Sequence, residues 1–243
     1  MLSFLLYHEI GSQPRASANL DCFCIEERFR EQMRFLKDNA VPVLSSAEIC
    51  VQLSCGGTLP EHGVILTFDD ADISFLEYAM PILEDLDFPS AVFAVAGQLG
   101  QRASWVKDSR NAIPLMSGQQ LRSLPSHRIE LGSHSMSHRK LTELTEAQAF
   151  AELHDSRSAL EDLLDRPILS LSYPHGHYST RIMEMASTVG YLNAYSTDGQ
   201  RSFIDAGDRL CIPRKYITCH DDIDTFARKI CFEPTLSAEL LDG

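Results

Sequence analysis

Two adjacent carboxylates and two histidines four residues apart are the side chains of this chain best suited to chemistry. Asp69 and Asp70 end an apolar run, and His134 and His138 lie further along the chain. Two histidines and one carboxylate form a ligand set that catalytic zinc sites use, with one position left for water. The remaining carboxylate would be free to act as a base. The spacing favours a hydrolytic metal site, and the alternatives are a helix cap for the aspartates and a pair of surface histidines.

Apolar segments typical of strands precede these polar clusters and alternate with helical patterns. Strands are predicted at residues 2–7, 41–44, 64–68, 91–95, 129–131, 168–172, 192–195 and 210–212. Helices are predicted at residues 26–39, 46–56, 74–87, 119–124, 146–164 and 180–189. This alternation predicts a parallel α/β sheet, of the barrel type, in one domain over residues 1–243. The clusters should meet at the carboxyl ends of the strands, with His134 and His138 on one helical turn.

The composition limits the classes of function. The chain has 243 residues, of which 44% are hydrophobic, so it can bury a full core. Its formal net charge of −13 argues against nucleic acid and against an anionic membrane surface as partners. No stretch reaches the ~20 apolar residues of a membrane span. Seven cysteines without a Cys-x-x-Cys spacing and a start without a signal-peptide pattern predict a cytoplasmic protein, unless an export signal was removed.

Three segments of the chain resemble, in order, the motifs of the NodB-homology polysaccharide deacetylases, carbohydrate esterase family four. They are Thr67–Asp70 (TFDD), His134–His138 (HSMSH) and Ser172–Gly176 (SYPHG). In addition, Leu6–Ile10 (LYHEI) and Ile212–Arg214 (IPR) are similar to the subgroup of poly-N-acetylglucosamine deacetylases. The resemblance spans nearly the whole chain and implies an α/β fold, a distorted and incomplete (β/α) barrel of the NodB-homology type.

The same resemblance implies a metal-dependent hydrolase that removes N-acetyl, or O-acetyl, groups from an acetylated amino sugar or a related small substrate. Asp70, His134 and His138 are implied to bind one divalent metal ion, zinc or alternatively cobalt or nickel. Asp69 is implied as the base that takes a proton from a metal-bound water. The backbone N–H of His175 is implied to stabilise the oxyanion.

Several positions depart from the pattern of that family. Ala71 stands where glycine is usual, which we expect to be tolerated through a negative φ. No arginine precedes the proline of the third motif, and Arg214 is the predicted substitute that orients Asp69. The Leu-x-His segment that supplies the general acid has no clear match. His220 is the nearest candidate for the acid, with His175, His177 or a water as alternatives.

Two aromatic residues, Tyr173 and Trp105, are predicted to bind the substrate, with a loop anchor as the alternative for Trp105. His8 either lines the pocket or is a hydrogen-bonded structural residue. The segment 143–152 is predicted to be a solvated helix face. Two other functions stay open: the same metal site acting on a different amide, as a deformylase or ring-amide hydrolase, and a degenerate glycan-binding domain without turnover.

Overall fold

The computed structural model describes residues 1–14, 18–106, 112–197 and 209–232. Its strands are β1 (Leu2–Tyr7), β2 (Glu9–Gly11), β3 (Phe23–Ile25), β4 (Gly63–Phe68), β5 (Ser90–Ala94), β6 (Ile129–Ser133), β7 (Ser170–Ser172), β8 (Asn193–Tyr195) and β9 (Lys215–Tyr216). Its α-helices are α1 (Glu26–Asp38), α2 (Ser46–Cys55), α3 (Met80–Leu86), α4 (Gly118–Ser123), α5 (Glu146–Leu164), α6 (Thr180–Val189) and α7 (Ile223–Lys229).

Seven of the strands form one parallel sheet in the order β8-β7-β6-β5-β4-β1-β9, while β2 and β3 pair separately. The sheet curls into a half-barrel that carries helices, so the predicted incomplete (β/α) barrel is confirmed. Pairing of β1 with β4 is continuous from Leu2 and Gly63 to Tyr7 and Phe68. Because the strands are parallel, the residues that follow them share one edge of the sheet.

Local signals explain where the longer helices begin and end. The α5 helix starts at a capping box, in which Thr145 and Gln148 exchange side-chain and backbone hydrogen bonds, and it ends at Asp165 in a left-handed conformation. Ser45 caps α2, and Gly56 ends it with a positive φ of 66°. The predicted helix 74–87 is interrupted, since a π-helical turn precedes α3 and Pro81 lies in the first turn of α3, where its missing N–H is tolerated.

Alternate strand residues face two separate apolar clusters, as the period of an extended chain requires. Leu5, Leu66 and Val92 belong to the larger cluster, which also holds the buried face of α1. Residues of the opposite parity pack together with Ile49 and Leu53 of α2. The two clusters that fix the sheet leave its carboxyl edge free for polar residues.

Two predicted strands are wrong in their extent. Residues 41–44 contribute a single bridge between Val43 and Val64, and residues 210–212 contribute one between Ile212 and Tyr195. The final strand is β9, three residues later. Proline has no N–H to donate to a ladder; Pro42 lies within the first segment, and Pro213 directly follows the second.

The short β2, β3 and α7 were not predicted, because three to seven residues are too few to show a period. The seven cysteines, all of which lie in the described ranges, are free thiols. Within those ranges no helix has both the length and the apolar character needed to cross a membrane.

Candidate metal centre and active-site pocket

Six of the nine predicted site residues line one cavity at the carboxyl edge of the sheet: Asp69, Asp70, Trp105, His134, His138 and His175. Asp69 directly follows β4, and His134 directly follows β6. The backbone N–H of Asp69 donates to the carbonyl of Tyr7, which extends the pairing of β1 and β4 and sets His8 near the aspartates. The cavity has a volume of about 420 Å³ and is lined by His8, Glu9, Asn19, Cys22, Asp69, Asp70, Asp72, Trp105, His134, His138, His175, Thr197 and Tyr216, among others.

One side-chain atom from each of Asp70, His134 and His138 lies within 4.8 Å of the others. The Oδ1 atom of Asp70 is 3.6 Å from Nε2 of His134 and 3.4 Å from Nε2 of His138. The Nδ1 atom of His134 donates to the backbone carbonyl of Ser172 at 2.8 Å, which leaves the lone pair on Nε2. Among the described residues, Asp70 Oδ1 and His138 Nδ1 are buried without a hydrogen-bond partner. Buried polar atoms are normally paired, so this donor set fits a divalent cation such as zinc.

The segment that carries both histidines is an irregular loop, so the predicted helical turn is wrong. Ser135 and His138 have positive φ angles of 64° and 61°, which bend the chain so that both rings reach the same cluster. The Oγ atom of Ser133 accepts the N–H of Ser135, and the Oγ atom of Ser135 accepts the N–H of His138. These hydrogen bonds, between residues two and three apart in sequence, stand in place of the helical backbone hydrogen bonds that the spacing of the histidines predicted.

Asp69 and Arg214 form a buried ion pair on the floor of the cavity. The Nη1 and Nη2 atoms of Arg214 donate to the two carboxylate oxygens of Asp69 at 2.8 and 2.7 Å. The hydroxyl of Ser172 donates to Asp69 Oδ2 at 2.9 Å and accepts from Arg214 Nη2. Burial raises the pKa of Asp69, but the charge and hydrogen bonds of Arg214 outweigh it and hold this pKa well below the ordinary value. Asp69 is therefore a carboxylate of fixed orientation.

The neighbouring carboxylate has the opposite electrostatic environment. Burial raises the pKa of Asp70, and the charges of Asp69 and Asp72 raise it further. Burial also lowers the pKa of His134 and of His138, which favours the neutral imidazoles that bind metal ions. Within the part of the chain that the structure describes, Asp70 forms no ion pair with a lysine or arginine, in contrast to Asp69.

Two further histidines border the cavity. The His8 ring stacks on Tyr216 with ring centres 5.7 Å apart, and its Nδ1 atom is buried without a partner among the described residues. Burial lowers the pKa of His8 to about 4, against an opposing effect of the Asp69 charge. His175 has a φ of 58°, and its Nε2 atom lies 3.3 Å from the carbonyl oxygen of His138. The expectation that His8 lines the pocket is met.

The structure separates the two aromatic residues that the sequence grouped together. Trp105 lines the cavity and packs on His138, with ring centres 4.0 Å apart. Tyr173 is fully buried, and its hydroxyl donates to the carbonyl of Leu210 at 2.9 Å. Tyr173 is thus a core residue and the prediction that it binds substrate is wrong, because its side chain is buried away from the cavity.

Three other expectations need correction. His220 is exposed in a turn and does not line the cavity, so the structure does not support it as the acid. Ala71 has a φ of 52°, not a negative one, and its methyl group packs in the core. Glu152, predicted on a solvated face, is half-buried and accepts hydrogen bonds from the loop before His138. It lies three residues after Ala149 and four before Ser156, both of which are buried on the same side of the helix.

The family model for polysaccharide deacetylases matches residues 56–194. The chain belongs to the polysaccharide deacetylase family. Among its relatives, the poly-beta-1,6-N-acetyl-D-glucosamine N-deacetylase of Staphylococcus aureus is 24% identical over 196 residues, which are 79% of this chain and 67% of the relative. Members of the family are hydrolases that act on carbohydrates.

Solved structures show the same fold. The Streptococcus pyogenes deacetylase PplD superposes with a TM-score of 0.80 at 22% identity, covering 96% of this chain and 98% of that protein. IcaB from Ammonifex degensii gives a TM-score of 0.77 at 20% identity, covering 95% and 96%. At these identities the likeness concerns the architecture of the half-barrel.

Proposed function

We propose that this protein is a metal-dependent carbohydrate N-deacetylase, with residues 1–243 forming one catalytic domain. The proposal rests on the contrast between Asp69 and Asp70, which follow β4 directly. Potential ligand atoms of Asp70, His134 and His138 lie within 4.8 Å of one another, beside an oriented carboxylate, Asp69, in a cavity large enough for a sugar unit. Ligand cavities are usually about 300–1,000 Å³ in volume.

Asp70, His134 and His138 are proposed to hold one divalent ion, with zinc favoured by two imidazoles and one carboxylate. When bound, such an ion polarises the amide carbonyl and lowers the pKa of water towards ~7. The ligand atoms are suited to this task, because burial lowers the pKa of both imidazoles and so favours their neutral form, and Asp70 Oδ1 has no hydrogen-bond partner among the described residues.

Asp69 is proposed to take the proton of the attacking water. A carboxylate offers about four acceptor sites, and Arg214 and Ser172 use one site on Oδ1 and two on Oδ2. One site on Oδ1 is therefore left for the water. The two parallel N–H donors of Arg214 fix the plane of the Asp69 carboxylate. Orienting Asp69 is the role predicted for this arginine.

The remaining steps need an oxyanion donor and a proton for the departing amine. The backbone N–H of His175 is proposed as the oxyanion donor, since His175 lines the same cavity. His8 is proposed to pass the proton that Asp69 takes from the water on to the departing amine. It lines the cavity and its Nδ1 atom has no hydrogen-bond partner among the described residues, while Nε2 of His175 lies 3.3 Å from the carbonyl oxygen of His138.

The proposed substrate is an N-acetylated amino sugar, in line with the activity named for the Staphylococcus aureus relative. Trp105 is proposed to stack on a sugar ring, since it borders the cavity beside His138. Free N-acetylglucosamine and its β-1,6-linked oligomers are the first substrates to assay.

The test is to strip the protein with a chelator, restore one equivalent of zinc, and measure acetate and free amine together. We expect equal amounts of both products from the oligomers, and none before zinc is restored. Release of formate or ammonia from other amides, without acetate, would support a different amide hydrolase. Stoichiometric zinc without any product would overturn the proposal.

A further inference from the structure

The loop from His134 to His138 needs support from outside itself. Two of its residues, Ser135 and His138, are non-glycine residues with positive φ, a conformation that persists only where surrounding contacts impose it. Both proposed histidine ligands lie on this loop. Whatever holds the loop also sets the position of the two imidazoles.

One side of the loop is held by backbone contacts with the segment after β5. The N–H of Ala96 donates to the carbonyl of Ser135 at 3.0 Å, and the N–H of Gly97 donates to the carbonyl of Met136 at 2.9 Å. A Cβ atom on Gly97 would lie 2.5 Å from the Met136 oxygen, so this close approach requires glycine. The contacts use the carbonyl groups of the loop and leave its N–H groups to be satisfied elsewhere.

The other side of the loop is held by a single carboxylate. Glu152, on the second turn of α5, accepts the N–H of Met136 at 3.0 Å and that of Ser137 at 2.9 Å through Oε2. Its Oε1 atom accepts the hydroxyl of Ser137. Three donors thus converge on Glu152 next to His138. The α5 helix is itself tied to β6, since the hydroxyl of Ser133 donates to Ser156 at 2.9 Å.

We propose that Glu152 is a positioning residue that holds the 134–138 loop in the conformation required for metal binding. The inference rests on the proposed metal site. A carboxylate accepts all three hydrogen bonds as they stand. In glutamine an amide nitrogen would replace one oxygen, so the hydroxyl of Ser137 would have to accept instead of donate, and the two backbone N–H groups would lose their charged acceptor. Partners behind the direct ligands typically change metal affinity by about 10–100-fold.

The main variant is Glu152→Gln, with Glu146→Gln as the matched control. Glu146 lies on the same helix but is exposed and pairs with Arg181 at the surface. We expect the zinc dissociation constant of Glu152→Gln to rise about 10–100-fold. The control should stay within about twofold, as ordinary surface substitutions do. Ser137→Ala removes one donor without changing the charge, and should give a smaller rise than Glu152→Gln.

Amide hydrogen exchange of the zinc-free proteins is the second measurement. In Glu152→Gln the amides of Met136 and Ser137 should exchange faster, while those of β6 keep their protection. Unchanged exchange at both amides would overturn the anchoring role. A zinc affinity equal to that of Glu146→Gln would overturn the link to the metal site. A wild-type protein that binds no zinc would instead overturn the proposed function, and the exchange data would still decide whether Glu152 holds the loop.

Discussion

Asp69 and Asp70 are adjacent in the chain but lie in opposite environments. Asp69 receives two hydrogen bonds from Arg214 and one from Ser172, and its pKa is held low. Asp70 has a buried oxygen without a partner among the described residues, and its pKa is raised by burial and by nearby negative charge. The backbone separates them, since Asp70 has a φ of 70° and turns away from the direction of β4.

The difference shows how one dipeptide can supply two chemical roles. A carboxylate whose acceptor sites are filled by fixed donors is oriented and stays ionised. A buried carboxylate without such donors is stabilised by whatever cation can reach it. The proposed roles, base for Asp69 and ligand for Asp70, follow from this contrast.

The largest effect is expected from removing the two proposed histidine ligands beside Asp70. Replacing His134 and His138 together with alanine removes two of three proposed ligands. Zinc affinity should fall by more than the ~100-fold that loss of an outer partner causes, and turnover should disappear. Elemental analysis of the purified protein measures the zinc content. Full retention of zinc in the double variant would refute the assignment of these ligands.

The second effect separates the two carboxylates directly. Asp69→Asn should lower kcat by about 10²–10⁴-fold while zinc content stays near that of the wild type, because the base is lost and the ligands remain. Asp70→Asn is the matched variant and should lose zinc. Steady-state kinetics together with metal analysis give both values, and loss of zinc from both variants would remove the distinction between them.

A smaller effect is expected when Asp69 is kept and the contact with Arg214 that orients it is weakened. Arg214→Lys keeps the charge but cannot present two parallel N–H donors. We expect kcat to fall by up to about 10²-fold through misplacement of the carboxylate, with zinc content and KM nearly unchanged. Arg214→Met also leaves the buried charge of Asp69 unpaired and should lower the free energy of unfolding by about 3–5 kcal/mol. Full activity of Arg214→Lys would show that the two parallel N–H donors of Arg214 are not required.

The smallest effect is expected for Trp105, which borders the cavity and has no part in the contrast between the two aspartates. Trp105→Ala should raise KM about 2–10-fold, equivalent to the ~0.5–1.5 kcal/mol of an aromatic contact, and leave kcat unchanged. Trp105→Phe is the control and should recover part of the loss. A change in kcat alone would indicate that Trp105 acts through the packing of His138.

The strands, the main helices and the grouping of Asp70, His134 and His138 could be predicted from sequence. Their signals are local: apolar periods, caps such as Thr145 and Gln148, and polar residues directly after strands. Polar clusters that follow parallel strands must meet, whatever the details of the connections. That topological rule is why a site built from distant segments was predictable.

The details that failed depend on side-chain direction and on bends in the chain. Tyr173 and Ser172 are neighbours, and only the fold decides that Ser172 contacts Asp69 while Tyr173 packs in the core. The positive φ of Ala71 and the irregular loop at His138 are imposed by tertiary contacts, so spacing alone gave the wrong local conformation. Glu152 was missed because a charged helical residue usually faces solvent.

The pair of Asp69 and Arg214 is separated by 145 residues in sequence. Arg214 precedes β9, a strand of two residues that pairs with β1 at the edge of the sheet. Closing so long a stretch of chain costs conformational entropy, which the docking of this edge strand must offset. A molecule in which the edge strand is detached would keep the three proposed metal ligands but would lose the partner that orients the proposed base.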